Sequence, residues 1–202
     1  MLYLVRHGQT AYNAERRLQG QLDIPLDETG VSQAHALAER LYEAGPRFDA
    51  LYSSRLSRAR ETARVIGERL GLEPVVIDGV EEINFGRFQG HTFEECAELF
   101  PREYADYAEK LAGSNAHGGE TGRQVMERAR RALLSIPEAK EGSALVVCHG
   151  AVIGYLRAAA KGLPLYDIKA LIPGNAELIE LDVKRLMHDD EISVCPENVK
   201  VI

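Results

Sequence analysis

Apolar residues along the chain follow two patterns. Short unbroken runs at Leu2–Val5, at Ala50–Tyr52 after Phe48, at Val75–Ile77 and at Ala144–Cys148 suit strands buried on both faces, as in a parallel sheet. Between them apolar positions recur at helical spacing. Val31, Ala34, Leu37, Ala38 and Leu41 mark one face before Gly45, and Ala59, Ala63, Ile66 and Leu70 mark another before Gly71; each glycine stands where a helix would stop. A further helix is predicted over Glu94 to Phe100, with Pro101 opening the next segment. Another runs from Thr121 through Val125, Ala129 and Leu133 to Ile136, where Pro137 blocks it. Ala151 to Lys161 reads as helix, and Ala176–Val183 alternates like a partly exposed or edge strand. Alternating strands and helices predict a three-layer α/β/α sandwich around a mostly parallel, doubly wound sheet.

In such sheets chemistry collects beyond the carboxyl ends of the strands. Arg6, His7 and Gly8 follow the first run, Ser53, Ser54, Arg55 and Arg58 the second, Glu81 and Glu82 the third, and His149 with Gly150 the fourth. Four strand ends therefore bring polar groups to one edge.

Bulk properties narrow what those groups could serve. At 202 residues a single domain is expected, with a lid-like insert at about 90–120 and a tail at about 184–202. Twenty-four Lys and Arg against 31 acids leave a net charge of −7, which speaks against a general nucleic-acid partner. Cys96, Cys148 and Cys195 are odd in number and widely spaced, so neither a disulfide framework nor a zinc site is suggested, and a reducing cytoplasm fits. No signal-peptide pattern, membrane-length apolar stretch or internal repeat is seen.

Two histidines, arginines and a carboxylate at one edge suit a phosphate ester. A neutral imidazole can attack phosphorus, guanidinium groups match phosphoryl oxygens, and a protonated carboxyl can supply the departing alkoxide with its proton. Plainer readings stand beside this one. His7 could merely end a strand; Arg55, Arg58, Arg60 and Arg64 could be a solvated helix face; Glu81 and Glu82 could be a surface pair. A Cys148–His149 hydrolase pair is disfavoured because strand neighbours point to opposite faces, leaving Cys148 for the core. A metal held by His7 and His149 would be repelled by the nearby arginines. His35, His91, His117 and His188 read as surface or loop residues, with His91 and His117 close enough to the insert to touch substrate.

"RHG" at 6–8, "SSRLSRARETA" at 53–63, "EINFGRFQG" at 82–90 and "VVCHGA" at 146–151, with Asn13 and "QGQLDIPLDETG" at 19–30, resemble the histidine phosphatase superfamily in order and in context. The resemblance runs from Leu2 to about Val183 and lies in the phosphoglycerate mutase-like branch. It implies His7 as nucleophile and Glu82 as proton donor and then base. It also implies Arg6, Asn13, Gln19, Gly20, Arg58 and His149 as phosphate- or substrate-binding residues, with Gly8 letting the phosphate approach the backbone. Arg58 falls in the first turn of its predicted helix, where the dipole favours an anion.

No metal or cofactor is implied, and the partner is a small phosphorylated substrate, with no nucleic acid or membrane. "HGGET" at 117–121 resembles the family's "GGES" turn, whose glutamate lies near substrate. The insert is short and acidic, which favours a phosphatase of the broad-specificity or α-ribazole phosphatase kind over a phosphoglycerate mutase. Gln21 stands where mutases commonly carry tryptophan, and Gln89 where glutamate is usual. A silent phosphate-binding protein on the same fold is the third reading. The "ISVC" of the tail is expected to form a strand or a homodimer contact.

Overall fold

In the computed structural model, which describes residues 1–110, 113–166 and 168–186, the apolar runs become strands β1 (Leu2–Arg6), β2 (Ala50–Ser53), β3 (Pro74–Val76) and β4 (Ala144–Cys148), joined by β5 (Leu178–Leu181). The spatial order is β3-β2-β4-β1-β5. β1, β2, β3 and β4 are mutually parallel, and β5 runs antiparallel along the outer side of β1. The tail's expected strand, with Cys195 and His188, lies outside the described residues.

Alternation along β4 divides the core. Ala144, Val146 and Cys148 face one way with Leu2 and Leu4, while Leu145 and Val147 face the other with Val5. The first face is covered by α6 (Gly122–Ser135) and α7 (Gly150–Ala160), the second by α2 (Glu28–Ala44) and α3 (Ser57–Leu70), giving the expected three layers. Cys148 is a core residue, so the next position, His149, is free to turn toward the other side of the strand end.

Helix boundaries follow local chemistry. The Asp27 carboxylate accepts from the Gly30 N–H at 2.7 Å to start α2, which ends at Gly45; α3 ends at Gly71, whose φ of 72° suits glycine. The third apolar run differs from expectation. Val75 and Val76 are half exposed, because β3 is the last strand of the order and pairs only with β2. The first strand lies one place from the middle, which β4 occupies. Among the described residues no helix is long and apolar enough to cross a membrane.

The loop after β1 crosses the start of α2 at two glycines. A Cβ on Gly8 would sit 2.4 Å from the Gly30 carbonyl oxygen, and one on Gly30 would sit 2.0 Å from that of Gln9. Close backbone packing thus requires Gly8, whatever it also offers a phosphate. Alanine in a helix is ordinarily about 1 kcal/mol better than glycine. Here the sign reverses: Gly30→Ala is expected to cost about 2–4 kcal/mol in urea unfolding, because rigid backbone must give way. An unchanged or raised stability would contradict the crossing.

Candidate active site

His7 sits where β1 has just ended, held there by backbone bonds. Its N–H donates to Cys148 O at 3.1 Å, and its carbonyl accepts from Asn175 Nδ2 at 2.9 Å. The imidazole is 1% exposed, and two partners fix its tautomer. Nδ1 lies 2.7 Å from the Gly8 carbonyl, which can only accept; the Arg58 Nε–H, which can only donate, points at Nε2 from 3.3 Å. The proton is on Nδ1, and Nε2 carries the lone pair.

Arg58, fully buried in the first turn of α3, spends its two terminal nitrogens on the carbonyls of Leu22 and Gly20, both at 2.7 Å. Those bonds orient its plane against His7. Burial lowers its pKa to about 10, which leaves it charged at neutral pH. The α3 terminus lacks a cap from Leu56, and Asp23 replaces it by accepting from the Ser57 N–H at 2.7 Å. Arg6 anchors one nitrogen on Pro173 O at 2.8 Å while its Nε remains buried and unpaired.

His149, fully buried at the start of α7, places its ring 5.2 Å from that of His7, with Nε2 2.8 Å from Ser54 Oγ and Nδ1 unpaired. Burial, then the Arg58 and Arg6 charges, hold His7 well below the usual imidazole range; burial and Arg58 do the same for His149. Both rings are neutral at pH 7.

That neutrality has a stability signature. An unfolded imidazole titrates near about pH 6.5, so on acidification the unfolded chain takes up protons that the folded one refuses. Stability is complete above about pH 6.5 and falls below it, by up to about 1.4 kcal/mol per pH unit for each imidazole. Urea unfolding from about pH 8 to about pH 5 should show the fall, shallower in His149→Gln; a flat profile would contradict buried neutral rings.

Glu82 reaches the same cavity from the loop after β3. Its carboxylate accepts from the Ile83 N–H at 2.9 Å and from the Ala151 N–H, in the first turn of α7, at 3.2 Å. Its backbone carbonyl is held twice, by Gln21 Nε2 at 3.1 Å and by an Arg128 nitrogen at 3.0 Å. Neighbouring Glu81 is buried but turned to the scaffold, meeting Arg55 at 3.2 Å and accepting from the Gly79 N–H.

Arg6, His7, Asn13, Gln19, Gly20, Arg58 and Glu82 all line one cavity of about 740 Å³. His149, its ring 5.2 Å from that of His7, is not among the lining residues, and Gly150 and Ala151 contribute the α7 terminus. Asn13 lies in α1 (Ala11–Ala14), where its Oδ1 accepts from Thr10 and Asn175, leaving the amide nitrogen for a ligand. Gln19 Oε1 is buried and unpaired. Arg60 is exposed on α3, as a solvated helix face requires, while Arg55, also exposed, precedes the helix.

Several expectations need correction. Glu120 does not line the cavity: both its oxygens bind Arg128, at 2.7 and 2.8 Å, and one accepts from Asn84 N. His117 is no surface residue; it is 1% exposed and stacked on Phe88 at 5.3 Å, and neither it nor half-buried His91 lines the cavity. Gln89 and Gln21 now have a physical account. Gln89 Oε1 accepts from Gln21 N at 2.8 Å, and Gln21 in turn grips Glu82, so the pair links two loops behind the carboxylate. Arg128 and Asn175 were not singled out from sequence, since nothing local marks a residue that acts on a loop more than forty positions away.

A family model described as histidine phosphatase superfamily (branch 1) matches residues 2–187. A probable phosphoglycerate mutase of Yersinia pestis is 34% identical over 182 residues, 90% of this chain and 84% of that one. Among solved structures, a mycobacterial glucosyl-3-phosphoglycerate phosphatase is 36% identical, covering 88% of this chain and 87% of that chain at a TM-score of 0.74. A phosphoserine phosphatase of Entamoeba histolytica, bound to phosphoserine, is 29% identical over the same shares at 0.75.

Proposed function

Because this chain belongs to branch 1 of the histidine phosphatase superfamily, we propose that it hydrolyses small phosphate monoesters through a phosphohistidine on His7. The observation that carries this reading is the unprotonated Nε2 of a neutral His7, met by the Arg58 Nε–H at 3.3 Å, in a residue lining a cavity that also holds Arg6, Arg58 and Glu82. Nε2 attacks phosphorus, the P–O bond to the alcohol breaks, and the Glu82 carboxyl passes its proton to the departing oxygen. Glu82, now ionised, takes a proton from water, whose oxygen attacks phosphorus and breaks the N–P bond. Arg6, Arg58 and the unpaired nitrogens of Asn13 and His149 hold the phosphoryl oxygens through both steps.

Hydrolysis is favoured over mutase chemistry because a mutase must retain a second anionic group. Arg17, which lines the cavity, is engaged by Glu95 at 2.6 and 3.1 Å and by Glu15 at 2.8 Å. A cytoplasmic setting fits Cys96 and Cys148, both buried and unpaired. With 3-phosphoglycerate, the expected product is inorganic phosphate and glycerate, and quenching in mid-turnover should leave acid-labile phosphate on His7. Accumulation of the 2-phospho isomer would instead establish the mutase alternative.

A further inference from the structure

Beyond its phosphoryl end the cavity is built from rings and aliphatic groups. One wall is the insert: Phe93 on α4 (Phe93–Leu99), with Tyr104 and Tyr107 on α5 (Pro101–Lys110). Phe93 stacks on Tyr107 at 6.0 Å and 24°. The lining also includes Tyr155 on α7, with Leu165 and Ile168 after it. Among the described lining residues outside the phosphoryl cradle, the charged ones are Arg17, paired as above, and Lys169, exposed.

We infer that the substrate's alcohol carries an aromatic or similarly flat apolar ring, seated among Phe93, Tyr107, Tyr155 and Leu165, and that a second anionic group is not what the site selects. This rests on the phosphatase reading above. The magnitudes decide between the two kinds of selection. A single exposed ion pair, all that Lys169 offers, is worth at most about 5-fold in binding. Enclosing one phenyl ring is worth on the order of 50-fold, from about 100 Å² of apolar surface removed from water. Offset stacking on tyrosine or phenylalanine adds to it.

The test compares kcat/KM for 2-phenylethyl phosphate, ethyl phosphate and 3-phosphoglycerate with the whole chain. The two alkyl esters have leaving groups of similar basicity, so their ratio reads enclosure of the ring and not intrinsic reactivity. The phenylethyl ester is expected to lead ethyl phosphate by on the order of 50-fold and to lead 3-phosphoglycerate as well. Phe93→Ala, at a position already 39% exposed, is expected to narrow the phenylethyl-to-ethyl ratio by about 5- to 10-fold. Equal values for the two alkyl esters, a preference for 3-phosphoglycerate, or an unchanged ratio in Phe93→Ala would overturn the ring site while leaving a phosphatase. Failure to hydrolyse any of the three would overturn both.

Discussion

Replacing His7 with alanine is expected to lower phosphate release by at least about 10,000-fold and to abolish acid-labile phosphate on the protein. Removing the nucleophile cannot be compensated locally. His149 has the neighbouring imidazole, but its ring is 5.2 Å away and fully buried, with Nε2 engaged by Ser54. The variant should fold, because what holds the site in place is the backbone of residue 7, through Cys148 O and Asn175 Nδ2, and alanine keeps both of those bonds. Phosphate release within about 10-fold of the parent would mean that another group attacks phosphorus, and the phosphohistidine mechanism would be lost.

Glu82→Gln should separate the two halves of the reaction. An alkyl ester needs a proton on its leaving oxygen, so its turnover is expected to fall by on the order of 100- to 10,000-fold. A nitrophenyl ester leaves as a stable phenolate and needs none, so His7 should still be phosphorylated rapidly. Water must then attack the phosphohistidine without a base to take its proton, so the phosphoenzyme accumulates and the nitrophenol trace shows a burst of about one equivalent before a slow phase. Glutamine keeps one acceptor oxygen, for either the Ile83 or the Ala151 N–H, and the Glu82 backbone carbonyl keeps its bonds from Gln21 and Arg128, so loss of the burst through a displaced loop is not expected. Equal losses for both ester types without a burst would remove Glu82 from proton transfer.

The layers were readable from sequence because strand and helix periodicity are local properties. So was the gathering of Arg6, His7, Arg58, Glu82 and His149, since parallel strands must deliver their carboxyl ends to one edge. The misreadings have a different origin. Val75 and Val76 look like core residues, but an apolar run does not say whether its strand lies inside the sheet or at its rim. His117 reads as surface because its turn, HGGET, is polar, and the resemblance sets the glutamate of that turn near substrate. Packing of Phe88 and Tyr107 buries His117, and Arg128 holds both oxygens of Glu120, which does not line the cavity. Gln21 and Gln89, sixty-eight positions apart, meet only after the chain has folded. What sequence could not reveal were contacts that tertiary packing creates between distant segments.

Residues 93–110 meet the rest of the protein through side chains: Phe88 packs against Phe100, Tyr104 and Tyr107, Cys96 Sγ reaches the Phe88 carbonyl, Arg17 pairs with Glu95 and Arg87 with Glu103. The phosphoryl end, by contrast, is built on strand termini and helix starts, and the buried atoms it leaves unpaired, Arg6 Nε and His149 Nδ1 among them, belong to residues fixed by other bonds. Divergence can therefore proceed unevenly. Residues 93–110 can be rewritten, shortened or exchanged between descendants with little disturbance to the reacting atoms, whereas a change at Arg58 removes the donor facing His7 and one at Gly30 disturbs the backbone crossing at Gly8. A lineage built this way can change its substrate repeatedly while inheriting one reaction.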